Sequence, residues 1–397
     1  MKGNVLVVHG GGPTAVMNAS LYGVIMEARA NPQAGDVYGA LGGMEGMVKG
    51  RIMNLSAFDD DQLRLLLTTP GSAIGSSRYP VSEEEYEKIP EILKKYEISY
   101  LLPNGGNGTM DTCGKIYQYC RRAGYGHIRV VGIPKTIDND IAVTDHTPGY
   151  GSAARYLAGT VKEVAADVKS LPIHVCVIEA QGRNSGWIAA SAALAREKKG
   201  DAPHLIYTPE RPFCEEEFLE DVKELYDRLG GVVVVASEGL RKADGSPIVE
   251  PIFRTERAVY YGDVGTHLAN LVVKKLGIKA RGEKPGLCGR ASVPWQSPVD
   301  QEEARAAGAE ALKMAVSGCT GVMVGFFREK APDAYRLSMK GIPIEQVMML
   351  EKPLPREYIN DRGNDVTEDF VRWCRPLIGP ELPKFLSFQD YWREPGI

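Results

Sequence analysis

The sequence lacks the features that would mark a membrane protein, a zinc protein or a nucleic-acid-binding protein. No apolar run reaches the roughly 18 residues that a membrane span requires. The seven cysteines are scattered and include no CxxC pair, which predicts buried free thiols in a reducing compartment rather than a zinc site. The net charge of −4 argues against nucleic acid, because a phosphate backbone calls for a basic surface. We therefore expect a cytoplasmic protein with neither a membrane nor a nucleic-acid partner.

Short apolar runs alternate with helical patterns over most of the 397 residues, of which 44% are hydrophobic. Most of these runs are rich in β-branched residues and are followed by glycine and then a helical pattern, as in parallel strands with crossover helices. The predicted strands cover residues 4–10, 98–106, 128–134, 174–182 and 231–239, and predicted helices cover residues 13–30 and 300–318. The sequence thus predicts an α/β protein with mainly parallel, Rossmann-like sheets flanked by helices, whose ligands bind beyond the carboxyl ends of the strands.

Two glycine-rich turns follow predicted strands, at HGGG (9–12) and NGGNGT (104–109). Glycine lets phosphate oxygens approach backbone N–H groups, and the N-terminus of the following helix favours an anion. Either turn alone is also typical of a plain tight turn, but two in one parallel sheet indicate a polyphosphate lying across neighbouring strand ends. A third loop, GSAIGSSRYP (71–80), contributes Arg78, although a single arginine there is more often a surface residue.

The stretch PKTIDND (134–140) places a cation, a hydroxyl and two carboxylates directly after a strand. Asp138 and Asp140 are two residues apart, so in extended backbone they share one side. Neighbouring carboxylates raise each other's pKa, which suits one of them to general-base catalysis while the other faces a metal ion. Lys135 and Thr136 offer an ammonium and a hydroxyl to phosphoryl oxygens. The alternative, an Asx-rich turn that caps a helix, does not account for the lysine and threonine in the same turn.

Three further strand ends or loops carry charged residues: Arg183 in GRNSGW, Glu238 in ASEGLR and Arg290 in GLCGRAS. Each residue alone is typical of a solvated charge in a loop. Together they supply charge and hydrogen bonds for a phosphorylated polyol.

In this order, the glycine-rich strand ends, PKTIDND, xGRxxGW and SEGL resemble the phosphofructokinase family over roughly residues 3 to 380. The segments EKPLPREYI and RPLIG resemble its longer, pyrophosphate-type branch. The resemblance implies a glycolytic phosphotransferase that moves a phosphoryl group from ATP or pyrophosphate, with Mg²⁺, to the 1-hydroxyl of fructose 6-phosphate. It also implies a phosphoryl-donor lobe at residues 1–135, an acceptor lobe at 136–295, and a segment at 296–397 that returns to the donor lobe and ends in a helix and tail.

Carried over position by position, the resemblance assigns a role to each candidate residue. Asp138 matches the general base, and Asp140 matches the carboxylate beside it near the metal, so both are expected to hold Mg²⁺. The other expected catalytic residues are Thr136, Arg183 and Lys135. The expected donor-binding residues are Gly11, Gly12, Arg78, Gly106, Asn107, Gly108 and Thr109. The expected acceptor-binding residues are Gln181, Gly182, Arg183, Glu238, Arg281 and Arg290.

Several positions on the acceptor side depart from the family pattern. His174 stands where a cation is expected, Asn184 replaces the usual His or Tyr, and Leu287 leads the motif that usually begins with Tyr or His. Gln181 likewise replaces a methionine. These changes leave open a different sugar phosphate or polyol as the acceptor, and, as an alternative of another class, a catalytically weak regulatory protein that binds sugar phosphates.

The donor side departs from the pattern as well. Pyrophosphate users carry an Asp at the position of Gly108, where it fills the space of the ATP α-phosphate, so we expect ATP as the donor. Lys135 favours the alternative, pyrophosphate, because many ATP enzymes have Gly there. Asn107 replaces an Asp that holds the metal in many members, which leaves Mg²⁺ mainly to Asp138, Asp140 and the donor phosphates. Because family members borrow an arginine from a neighbouring subunit, we expect a homodimer or homotetramer.

Overall fold

The structure is a computed structural model, and it describes residues 2–254, 259–329 and 334–391. Its strands are β1 Gly3–His9, β2 Ala34–Ala40, β3 Ile52–Asn54, β4 Ile98–Gly105, β5 Arg129–Pro134, β6 Val175–Ala180, β7 Leu205–Tyr207, β8 Val232–Ser237, β9 Pro251–Arg254, β10 Val259–Tyr261, β11 Ala280–Glu283, β12 Val322–Arg328 and β13 Leu337–Pro343. Its α-helices are α1 Met17–Ala30, α2 Gly43–Val48, α3 Asp60–Arg64, α4 Glu83–Lys95, α5 Asn107–Arg122, α6 Tyr150–Ser170, α7 Trp187–Ser191, α8 Glu215–Leu229, α9 Val264–Leu276, α10 Cys288–Ala291, α11 Pro298–Val316 and α12 Glu368–Cys374.

The larger sheet has the strand order β13-β12-β5-β4-β1-β2-β3. Its five inner strands are parallel, while β13 and β3 pair antiparallel at the two edges. Because side chains alternate along a strand, Val5 and Val7 of β1 pack with α1 and α11, whereas Leu6 and Val8 pack with α4 and α5 on the other face. Helices therefore cover both faces of this sheet, as a parallel sheet requires.

The smaller sheet has the order β11-β6-β8-β7, and all of its strands are parallel. The same alternation sends Val232 and Val234 of β8 toward α8 and α9, and Val233 and Val235 toward α6 and α7. After this sheet the chain returns through α11 to the larger sheet, where β12 pairs with β5. Helix α12 packs into the same core as α6 and α7.

The predicted fold class is confirmed, and every strand and helix predicted from an apolar run is present within a few residues. The prediction missed the inner strand β2 and the edge strands β3, β7 and β13, which carry glycine, polar residues or too few residues for a clear pattern. The helix predicted from residue 13 begins only at Met17. The strands of the larger sheet lie within residues 3–134 and 322–343, and the proposed division into three segments stays a prediction.

The cysteines are free, as predicted, but they are not all buried. Cys113, Cys120, Cys176 and Cys374 are buried, whereas two of the others are exposed and one is partly exposed. The prediction of buried thiols was therefore wrong for those three, because they lie in or beside short polar connections rather than in strands. Within the residues that the structure describes, no helix has the length and apolar character needed to cross a membrane.

Candidate active site

The two glycine-rich turns meet at the carboxyl ends of β1 and β4. Backbone hydrogen bonds join Gly10 N–H to the Asn104 carbonyl (2.9 Å) and Lys135 N–H to the Gly105 carbonyl (3.0 Å). A Cβ added to Gly10 or to Gly105 would lie 2.2 or 2.1 Å from the Thr109 hydroxyl oxygen, so both positions require glycine for this close approach. Thr109 thus packs between the two turns, and the predicted donor residues of both turns share one surface.

Three cations converge on the first of these turns. The Lys135 side chain is only 3% exposed, and its ammonium donates a hydrogen bond to the Gly12 carbonyl at 2.6 Å. A Cβ built on Gly12 would lie 2.8 Å from Arg290 Nη1 and 3.7 Å from Arg78 Nη2, so both guanidinium groups lie over this glycine. The pKa of Lys135 is lowered to about 8, mainly by burial and also by Arg290 and Arg78, against the opposing effect of Asp138. Crowded cations beside backbone of a glycine turn are suited to a polyanion.

Asp138 lies beside the turn at residues 181–186, which belongs to the predicted acceptor lobe. Its N–H donates to the Thr136 hydroxyl at 3.1 Å, and its carbonyl accepts a hydrogen bond from the Ser185 hydroxyl at 3.0 Å. The pKa of the Asp138 carboxyl is raised to about 7, mainly by burial and also by the carboxylates of Asp140 and Glu238, against the opposing effect of Lys135. A carboxylate with a pKa near neutrality is well suited to general-base catalysis.

Asp140 lies beside Asn107, which is the first residue of α5. The Asn107 side-chain amide donates to Asp140 Oδ2 at 2.9 Å, while Asn107 Oδ1 is buried and accepts no hydrogen bond from the described residues. Burial raises the pKa of Asp140, and the nearby Glu351 carboxylate acts in the same direction. Among the described residues, no group of three or more His, Cys, Asp or Glu side chains could hold a metal.

These residues nevertheless fit Mg²⁺, an ion that usually takes one or two carboxylates and completes its shell with water and substrate phosphates. Asp138 and Asp140 offer the carboxylates, and the unsatisfied oxygen of Asn107 offers a hydrogen-bond acceptor for a metal-bound water. A bound cation would also lower the raised pKa of both aspartates, because it stabilises their ionised form.

The acceptor side is the turn between β6 and α7, residues 181–186. Gly182 has φ +117°, a conformation that favours glycine, and its N–H lies 3.4 Å from Glu238 Oε1. A Cβ on Gly239 would lie 1.9 Å from the Arg183 carbonyl, so the SEGL turn packs directly against this backbone. Arg183 itself is exposed. It lies on the same turn as Ser185, whose hydroxyl binds the carbonyl of Asp138.

A small pocket adjoins this turn between α6 and α10. It is lined by Ile137, Tyr156, Gln181 and Gly289, among others. Gly289 lies close to Tyr156 and to Gln181 Oε1, at 3.6 and 3.8 Å from the position of an added Cβ. The lining is largely apolar, and it is built in part from the positions at which the sequence departs from the family pattern.

Two predicted acceptor residues lie away from this turn, since Arg290 lies over Gly12 of the first glycine turn and Arg281 lies farther off. Arg281 lies exposed on the edge strand β11, where it pairs with Cys176, five residues before Gln181 at the turn. It instead lies near His174, whose pKa is lowered by burial and then by Arg281. Within one chain, the expected role of Arg281 as an acceptor ligand is therefore not supported, because register along β6 separates it from the strand ends.

Sequence reasoning missed two residues that contact residues 135–145, the loop that carries Asp138 and Asp140 and is here called the aspartate loop. Ser185 binds the carbonyl of Asp138, and Lys352 donates its N–H to the carbonyl of Asp140 at 2.8 Å. Both lie inside segments that the sequence had singled out, GRNSGW and EKPLPREYI, so the signal was available. What the sequence could not provide was the contact, because Lys352 is separated from the aspartates by more than two hundred residues.

Comparisons with known proteins identify the family of the chain. Residues 4–315 match the protein family described as Phosphofructokinase. The chain is 38% identical to the pyrophosphate–fructose 6-phosphate 1-phosphotransferase of Rhodospirillum rubrum, over 98% of this chain and 97% of that protein. It is 32% identical to the sulfofructose kinase of Alkalicoccus urumqiensis, over 96% of each chain. The crystal structure of a pyrophosphate-dependent phosphofructokinase from Nitrosospira multiformis superimposes with a TM-score of 0.88 at 33% identity, covering 97% of this chain and 94% of that one.

Proposed function

The chain belongs to the phosphofructokinase family, and we propose that it transfers a phosphoryl group from pyrophosphate to the 1-hydroxyl of fructose 6-phosphate. The observation that carries this proposal is the position of the loop 135–140. Its first residue, Lys135, donates a hydrogen bond to Gly12 in the first glycine turn, and Asp138 is hydrogen-bonded to Ser185 in the turn at residues 181–186. One short loop would therefore contact both substrates. Phosphoryl transfer depends mainly on such positioning and on charge neutralisation.

In the proposed step, Asp138 accepts the proton of the acceptor's 1-hydroxyl as that oxygen attacks the terminal phosphorus of the donor. The new bond joins this oxygen to phosphorus, the bond to the bridging oxygen breaks, and inorganic phosphate leaves. Lys135 and Arg78 neutralise charge on the donor from the side of the glycine turn, and Arg183 reaches the moving group from the acceptor turn. Asp138 and Asp140 would hold Mg²⁺, which supplies further charge neutralisation on the donor oxygens.

ATP is a second candidate donor, and Gly108 favours it. No atom lies within 4 Å of a Cβ built on Gly108, so the space beside the start of α5 is open. Pyrophosphate ranks first because Lys135 lies buried at the donor turn and because the Rhodospirillum relative and the Nitrosospira structure are named for pyrophosphate. The preference for ATP that Gly108 predicts stays a prediction.

A different acceptor is the second alternative, favoured by the sulfofructose kinase relative. Two of the positions that depart from the family pattern, Gln181 and Gly289, line the pocket between α6 and α10, and Leu287 lies two residues before Gly289. None of these three side chains carries a charge, so the change that they would accommodate is one in the group at C6 of the sugar. We also propose that Arg281, distant from its own site, serves a neighbouring copy in a dimer or tetramer.

The test is a matrix of initial rates. Pyrophosphate and ATP are each assayed, with Mg²⁺, against fructose 6-phosphate, 6-deoxy-6-sulfofructose and unphosphorylated fructose. The highest kcat/KM is expected for pyrophosphate with fructose 6-phosphate. A preference for the sulfonate would replace the acceptor assignment. Calorimetric binding of fructose 6-phosphate without turnover by either donor would instead establish the alternative of a regulatory protein.

A further inference from the structure

The segment EKPLPREYI lies beyond the residues that match the family, and the proposed reaction gives it no role. In the structure this segment runs along the aspartate loop, where Ile141 and Glu351 form an antiparallel bridge. The N–H of Lys352 donates to the Asp140 carbonyl at 2.8 Å, and its carbonyl accepts from Trp187 Nε1 at 3.0 Å. The backbone of Lys352 thus links the aspartate loop to the first residue of α7, directly after the acceptor turn.

The side chain of Lys352 adds contacts to the same loop. Its ammonium donates to the carbonyls of Thr144 and Asp145 at 2.8 and 2.9 Å, and it lies 3.5 Å from Asn139 Oδ1. It also lies over the Trp187 ring, 5.0 Å from the ring centre. The ammonium of Lys352 therefore contacts this loop at Asn139, next to Asp138, and again at Thr144 and Asp145.

The backbone between these contacts is strained. Asn139 and Val143 have φ values of +52° and +68°, in the left-handed region that residues other than glycine rarely adopt. Such conformations persist only where the surrounding structure over-determines them, and they cluster at functional sites. The contacts of Lys352 flank both residues, so they are placed to hold this backbone against relaxation.

We propose that Lys352 is a positioning residue for phosphoryl transfer. Through the loop 139–145 and the carbonyl of Asp140, it holds both aspartates against the turn at residues 181–186, while Ser185 of that turn binds the carbonyl of Asp138. The inference rests on the proposed function, since it assigns Asp138 and Asp140 to that reaction. In the contacts described above, the side chain of Lys352 does not touch the carboxylate of Asp138 or of Asp140. Lys352 is therefore not assigned a contact with the reacting atoms.

The test is Lys352→Met, which keeps the length of the side chain and removes the ammonium. A misplacement of about 1 Å can lower a rate about 100-fold, so kcat should fall by that order while both KM values change less than about threefold. Leu350→Ala, directly before the same segment and at a residue that is 51% exposed, is the matched control and should keep the wild-type kcat. A thermal melt and calorimetric binding of fructose 6-phosphate accompany each variant.

A methionine variant that keeps more than half of the wild-type kcat, or that loses activity only through KM, would overturn the proposal. If that variant does not fold, Lys352→Gln, which keeps an N–H donor, is judged by the same two readouts. If neither variant folds, Lys352 has a general structural role and the proposal is wrong. Failure of the proposed function is distinguished by the wild-type protein, which would then show no turnover in the same assays.

Discussion

The substitution Gly108→Asp tests whether open space or charge decides the phosphoryl donor. Gly108 is the second residue of α5, its φ is not in the left-handed region, and a Cβ there meets no atom within 4 Å. An acidic residue is also favourable in the first turn of a helix, because it faces the positive end of the helix dipole. The variant should therefore fold normally, and its effect should be confined to the substrate.

The expected magnitude follows from the repulsion between the new carboxylate and a donor phosphate. Two unit charges about 4 Å apart repel by about 4 kcal/mol at an effective dielectric constant of ~20, which corresponds to about a 1,000-fold loss of kcat/KM. The family resemblance implies that the α-phosphate of ATP, which pyrophosphate lacks, would lie in the open space beside Gly108. We therefore expect ATP use to fall by up to that factor and pyrophosphate use to change only a few-fold.

The assay compares initial rates with ATP and with pyrophosphate at fixed fructose 6-phosphate for the wild type, Gly108→Asp and Gly108→Asn. The asparagine variant has nearly the same shape without the charge, so it separates steric from electrostatic exclusion. Equal loss of ATP use in both variants would refute the electrostatic reasoning. A wild-type protein that uses pyrophosphate and ignores ATP would show that Gly108 does not decide the donor and that Lys135 is the informative residue.

Three further predictions concern the reacting groups. Asp138→Asn keeps the shape but cannot accept a proton, so kcat should fall by at least ~100-fold with little change in donor KM, and a variant with over a tenth of the activity would exclude this role. Because the pKa of Asp138 is raised to about 7 and that of Lys135 lowered to about 8, kcat/KM should rise with pH through about 7 as the base loses its proton and decline above about 8 as the cation loses its charge; a profile that is flat from pH 6 to 9 would contradict this. Arg183→Lys keeps the charge but loses the planar fork, so it should not restore activity relative to Arg183→Ala, and a nearly wild-type rate would show that any positive charge suffices.

The strands that carry the donor loops were predictable because each is a buried, β-branched run that ends in glycine. The aspartate loop was predictable because its residue types serve one chemistry within seven positions. The edge strands β3 and β13 were not, since an edge strand is exposed on one side and pairs through backbone, which leaves little pattern in its side chains.

The positions of Arg281 and Lys352 show what one-dimensional reasoning omits. Arg281 was assigned to the acceptor by its position in the family resemblance, but the register of β11 against β6 places it away from the strand ends. Lys352 lies in a segment that the sequence had singled out, but only the three-dimensional path of that segment brings it to the aspartates. Register and long-range contact are tertiary properties, and neither is encoded in the spacing of residues along the chain.

The charges of the site divide into two groups that each repel internally. Lys135 is buried beside Arg78 and Arg290, and its pKa falls as a result. Asp138 is buried beside other carboxylates, among them Glu238, and its pKa rises. An anion would relieve the first group, and a cation would relieve the second.

A metal–polyphosphate complex supplies both charges at once, which neither free phosphate nor free metal does. The electrostatics of the loop 135–140 therefore favour the class of donor, and they are equally satisfied by the terminal phosphates of ATP or by pyrophosphate. The two donors differ only beyond those phosphates, at the open space beside the start of α5. We therefore expect shape and added charge at Gly108 to change the balance between the two donors, and substitutions of Asp138 or Asp140 to impair the use of both donors together.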